Sequence, residues 1–108
     1  MALRPICWVT MKPDEFLDDA RLRKEILQHI MSGKYRITKH ASEQQKHRKI
    51  DLRDTLYVLK TGVHEKAKTL LVDSVWKYAI KGKTEDFQEV RVIVAFSNEL
   101  IIITVMDV

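Results

Sequence analysis

At 108 residues, 45% apolar and 31% charged, the chain has material for one core and not for two, so a single domain over residues 1–108 is expected. No window approaches the roughly 18 apolar residues of a membrane span. The opening MALRPICWVT has too short an apolar patch and no small-residue cleavage site for a secretory signal, so the expectation is a cytoplasmic protein with no membrane partner.

The net charge of +4 is unevenly spread. Residues 1–33 hold five Lys/Arg and five Asp/Glu, and residues 54–108 hold seven against eight. Residues 34–53 carry the excess, with Lys34, Arg36, Lys39, Lys46, Arg48, Lys49 and Arg53 facing only Glu43 and Asp51. A basic patch of this density attracts phosphate backbones by steering and by counterion release, and the plain alternative is a solvated helix face. Lys34, Arg36, Lys39, Lys46, Lys49 and Arg53 are the residues expected to bind nucleic acid. The single cysteine, Cys7, has no second thiol to bond or to share a zinc ion with, and reads as packing.

In chain order, Met11 offers a second start, which makes the first ten to twelve residues an appendage. Pro13, followed by Asp14 and Glu15, has the makings of a helix start, and Gly33 has the makings of its left-handed terminator. A first helix is therefore expected over 14–32, with Phe16, Ala20, Leu27, Ile30 and Met31 on its apolar stripe. Tyr35 to Ile37 read as an extended link, and Thr38 as the N-cap of a polar second helix over 39–48. Asp51 caps a third helix, Leu52 to about Thr61, ended by Gly62.

From about residue 67 β-rich runs take over. Leu70–Val72 and Val75–Lys81 read as strand, with Trp76, Tyr78 and Ile80 on one face and Lys77 and Lys81 on the other; a turn at 82–86 follows. Val90 to Phe96 alternates cleanly and leads through Ser97, Asn98 and Glu99 into Leu100–Met106. The last strand is apolar on both faces and reads as an interior strand. Helices over 13–62 followed by an antiparallel meander over 67–108 make an α+β domain.

On the second helix His40, Gln44 and Arg48 recur every four residues and line one face, with His47 close to the same line. Histidine moves protons near neutral pH, and the arginine fork matches phosphate oxygens, so the row suits phosphodiester chemistry. His40 and His47 stand about 10 Å apart on helical geometry, too far to share a metal, and no zinc site is expected. Lys77, Lys81, Tyr78, Arg91 and Thr104 are the sheet's polar candidates. Each also has a plain structural reading, as solvated cation, core tyrosine or β-branched strand residue.

In fixed order the chain carries Tyr35, Thr38, His40-Ala41, Arg48, Ile50, Gly62, Tyr78-x-Ile80-x-Gly82 and Ile103-Thr104-Val105. This resembles the family of small proteins known as domain of unknown function 4258, with Gln44 and Gln45 standing where the family has an arginine and a Met-like residue. The resemblance implies kinship with the RelE-like and barnase-like toxins of bacterial toxin and antitoxin pairs, and so their compact fold. It implies a metal-independent endoribonuclease needing no cofactor, with RNA as substrate. His40 is then general base or acid, Arg48 neutralises the phosphorane, Lys81 or Tyr78 orients the phosphate, and Thr104 donates a lesser hydrogen bond. The implied partner is a cognate antitoxin, of the zinc-ribbon, helix-turn-helix kind. The alternative is a non-catalytic module that binds nucleic acid, gyrase or an antitoxin through the basic patch.

Overall fold

The computed structural model of the chain describes residues 15–108. It is a mixed α+β domain, with three α-helices and a six-stranded sheet among the described residues. The elements run α1 (Asp19–Ser32), β1 (Tyr35–Ile37), α2 (Lys39–His47), α3 (Leu52–Thr61), β2 (Val63–His64), a 3-10 turn (Lys66–Lys68), β3 (Leu70–Val72), β4 (Val75–Lys83), β5 (Glu89–Phe96) and β6 (Leu100–Asp107). None of these helices is long and apolar enough to cross a membrane.

The first helix starts later than its composition suggests. Pro13 and Asp14 lie outside the described residues. Asp18 is the N-cap, its carboxylate accepting from the Arg21 amide, and Leu17 just before it and Leu22 in the first turn are both buried and fix how the chain enters. The buried stripe is Leu22, Ile26 and His29, so the expected one holds only in part: Ile30 packs against the core and Leu27 is half-buried, but Ala20 and Met31 are exposed, and Phe16 precedes the helix and packs its ring edgewise on Trp76. Gly33 adopts the left-handed conformation that ends the helix, as expected.

The extended link Tyr35–Ile37 is a strand, and it changes the topology. The sheet order is β1-β6-β5-β4-β2, with β3 also on β4. β1 runs parallel to β6, in register Tyr35 to Leu100 and Ile37 to Ile102, whereas β4, β5 and β6 form the expected antiparallel meander. The division into helices first and sheet second is thus corrected: β1 lies between helices and β2 precedes residue 67. β6 is interior, between β1 and β5, as its two apolar faces require. β4 runs on to Lys83, so the turn before β5 falls later than 82–86.

α1 and α3 cover one face of the sheet. There Leu22, Ile26, Val58 and Leu59 meet Tyr78, Ile80, Val92, Val94, Phe96 and Ile102 in one buried cluster. Asp51 caps α3 within a capping box completed by Asp54. The end of α3 is not the left-handed stop its glycine suggests, since Gly62 has φ −78°. Its lack of a side chain serves a close approach instead. A Cβ there would stand 2.6 Å from the Lys81 carbonyl oxygen and 2.7 Å from that of Val58, and Gly82 faces it in turn, where a Cβ would lie 3.0 Å from the Gly62 Cα. Helix end and strand meet backbone to backbone only because both residues are glycine.

Gly62→Ala is therefore expected to destabilise the fold by about 1–3 kcal/mol, the usual cost of forcing atoms into a filled interior, as read by urea unfolding. Gly33→Ala acts through backbone strain alone, because nothing lies within 4 Å of a Cβ there.

Candidate nucleic-acid interface

The polar helix α2 is positioned by the strand it borders. β1 pairs with β6 only as far as Ile37, which leaves the edge of β6 beyond Ile102 without a neighbouring strand. α2 supplies the missing partners. Thr38 caps the helix by accepting from the Ala41 amide and donates its hydroxyl to the Ile103 carbonyl at 3.2 Å. Gln44 accepts the Val105 amide at 2.8 Å, and Arg48 reaches Asp107 at 3.2 Å. Buried Ala41 and Gln45 point inward, where Gln45 accepts from the Thr55 hydroxyl of α3.

With Gln45 turned to α3 and Gln44 to β6, helical spacing leaves His40 and His47 on the flank away from α3. Both are exposed, and with Glu43, Gln44 and Arg48 they line a shallow cleft of about 220 Å³. Arg48 closes the helix and is half-buried, its guanidinium shared between Asp107 and the Gln44 carbonyl at 3.3 Å. The cleft thus holds two imidazoles, one partly neutralised guanidinium and the Glu43 carboxylate.

The remaining candidates are brought there to different degrees. Thr104 sits between the two β6 residues gripped by α2, Ile103 and Val105, and pairs with Ile93 on the sheet face that the helices leave open. Lys81 is on that open face too, with β5 and β6 between it and α2. Tyr78 is on the opposite, covered face and only 2% exposed. Its hydroxyl accepts the Leu17 amide at 3.0 Å and donates to the Glu15 carbonyl, holding the lead-in to α1, and burial pushes its pKa up. Tyr78 and Lys81 therefore do not converge on one phosphate. Lys34, Arg36, Lys39, Lys46, Lys49 and Arg53 are all exposed, although Arg36 pairs with Glu99 at 2.8 Å. They are spread over the lead-in to β1, β1 itself, α2 and its end, and α3.

Two clusters lie outside that groove. On the open face Arg91 grips Glu65 through Nε and Nη2, and this hydrogen-bonded pairing holds the Glu65 carboxyl below the usual glutamate range. Between α1 and β2, His64 joins Asp19 and Thr69, each at 2.8 Å. The trio has the composition of a catalytic triad but not its chemistry. Thr69 donates its hydroxyl hydrogen to the Glu65 carbonyl and accepts the Ala79 amide, so backbone groups hold the hydroxyl and it is not aimed as a nucleophile. The trio is a structural tie, and the bond from His64 lowers the Asp19 pKa.

His47, close to the His40 line by helical spacing, shares the cleft with it. Glu65 gave no signal, because its partner Arg91 is far along the chain and the two meet only when the 3-10 segment folds back over β4. The family described as Domain of unknown function (DUF4258) matches residues 37–107, from the end of β1 through β6. No curated protein and no solved structure matches the chain.

Gln44→Ala strips the Val105 amide of its acceptor inside a fully buried residue, and is expected to cost about 1–3 kcal/mol in chemical denaturation. Glu65→Gln tests the ion pair by its pH dependence. A carboxyl whose folded pKa is depressed contributes stability above the ordinary range and loses it as pH falls. The stability gap between wild type and variant is therefore expected to hold at neutral pH and to close as acid unfolding is followed below about pH 4.3.

Proposed function

The chain belongs to the DUF4258 family, and from that premise and the α2 cleft we propose that it is a metal-independent endoribonuclease. The observation that carries this reading is the cleft itself, where His40, His47 and Arg48 line one depression on a helix bordered by cations. Cleavage by the RNA's own 2′-hydroxyl asks for little else. The 2′-oxygen attacks the adjacent phosphorus while one imidazole takes its proton. The 5′-oxygen leaves with a proton from a protonated imidazole, and a cyclic phosphate remains. His40 and His47, two turns apart along the same cleft, are the two imidazoles available for those proton transfers. Arg48 faces the charge that develops on the phosphorane, and such stabilisation is often the largest single catalytic effect. Thr104, beside the α2 contacts, is the lesser donor, Lys81 acts at a distance across the sheet, and Tyr78 is left to the core.

Resemblance alone supports the wider role, a toxin of RelE-like or barnase-like kind held inactive by an antitoxin. A second reading has an observation of its own in its favour: Arg48 is already engaged by Asp107, as suits a surface that binds nucleic acid without cutting it.

His40→Ala is expected to lower cleavage of a defined RNA in EDTA by about 10²- to 10⁴-fold, the usual share of a general acid or base, with unfolding midpoint unchanged. Cyclic-phosphate ends from the wild type carry the cutting reading. RNA that is shifted and left intact carries the binding one, and a fully active His40→Ala removes His40 from the mechanism.

A further inference from the structure

α1 and α3 cover only one face of the sheet, and among the described residues no helix covers the other. Strand register orders that open face in rows. Lys81, Arg91 and Met106 lie side by side across β4, β5 and β6; the next row is Ala79, Ile93 and Thr104; a third is Ala95, Ile101 and Arg36. Two alanines, both buried, make the face shallow at its middle, between half-buried isoleucines.

The charges on this face are not balanced. Lys81 and Arg91 stand directly opposite on neighbouring strands, an arrangement that is repulsive unless an anion relieves it. Glu65 does so, folding over from the 3-10 segment onto Arg91. Two other acids are near the borders, Glu99 on Arg36 and Glu89 opposite Lys83. Lys68, Lys77 and Lys81 have no ion-pair partner among the described residues, and Lys68 and Lys81 both lie close enough to act on the Glu65 carboxylate. Arg91 presents to Glu65 the two-pronged fork that matches phosphate oxygens equally well.

We propose that the open sheet face binds the phosphate backbone of a single-stranded RNA, along Lys77 and Lys81, and that Glu65 occupies Arg91 in its place when no RNA is bound. The choice of RNA rests on the reading of the α2 cleft above. Thr104 and the α2 flank border this face, so one strand reaches from the cations to the histidines without crossing the covered side. A purely structural Glu65 makes a different forecast, because its removal then loosens the fold and leaves binding alone.

The test uses the full chain and a fluorescein-labelled 2′-O-methyl oligouridine, which lacks the attacking hydroxyl, followed by anisotropy at stepped potassium chloride. Lys77→Ala/Lys81→Ala is expected to weaken binding about tenfold at moderate salt and to reduce the salt slope by about 1.4, two phosphate contacts on a single strand. Glu65→Gln is expected to tighten binding about threefold, one unfavourable charge removed at a screened site. Circular dichroism checks that each variant is folded. Affinity and slope equal to wild type in the folded double variant overturn the proposal, as does weaker binding by folded Glu65→Gln. Cleavage of unmodified RNA, read in parallel, separates the two ideas. A wild type that does not cut but whose binding falls in the double variant loses the nuclease and keeps the face. A wild type that cuts, with a double variant that binds and cuts equally well, does the reverse.

Discussion

The short length of β1 is the constraint on which the rest of the structure depends. It pairs with β6 from Tyr35 to Ile37 and stops, leaving the second half of a central strand with unmet backbone groups. Backbone polar groups kept from water need partners, and α2 supplies them through Thr38 and Gln44. A helix with little apolar surface is thereby held against the sheet by hydrogen bonds more than by burial. Its remaining face stays outside, and His40 and His47 are on it.

The same geometry gives meaning to Gln44. Where the family resemblance has an arginine, this chain has a residue able to accept a hydrogen bond, and the Val105 amide uses it. Arginine has five donors and no acceptor, so the substitution changes what the position does, not only its charge. The cleft has one guanidinium fewer, and the helix one bond more to its strand.

Periodicity and capping residues made the helices and the meander legible. Thr38, Asp51 and Gly33 act where their chemistry says they should, because caps are local. What depended on distant packing was not legible. Three residues carry too little pattern to distinguish a strand from a link, so β1 and its parallel pairing were missed. Of the stripe expected from Phe16, Ala20, Leu27, Ile30 and Met31, Ile30 packs against the core, but contact with α3 and the sheet decides which side is buried, and it chose Leu22 and Ile26. Tyr78 shows the limit for the site. A tyrosine on a strand has the same appearance in sequence whether its hydroxyl meets a substrate or, as here, two backbone groups of the segment before α1.

The outer edge of β4 has a consequence of a different kind. Two short strands share it, β2 against Lys81 and Ile80 and β3 against Lys77 to Val75, and β3 returns through a tight turn in which Asp73 and Ser74 both have positive φ. The opposite edge is divided likewise, between β1 and α2. A long flat edge is a template on which other chains stack, and this sheet offers none longer than the three residues of β1 or β3 among the described residues. Leu70, Leu71 and Val72 are exposed and apolar, the composition of an aggregating segment. Their brevity, the tight positive-φ turn that follows and Lys66 and Lys68 just ahead in the chain all work against the addition of a further strand there.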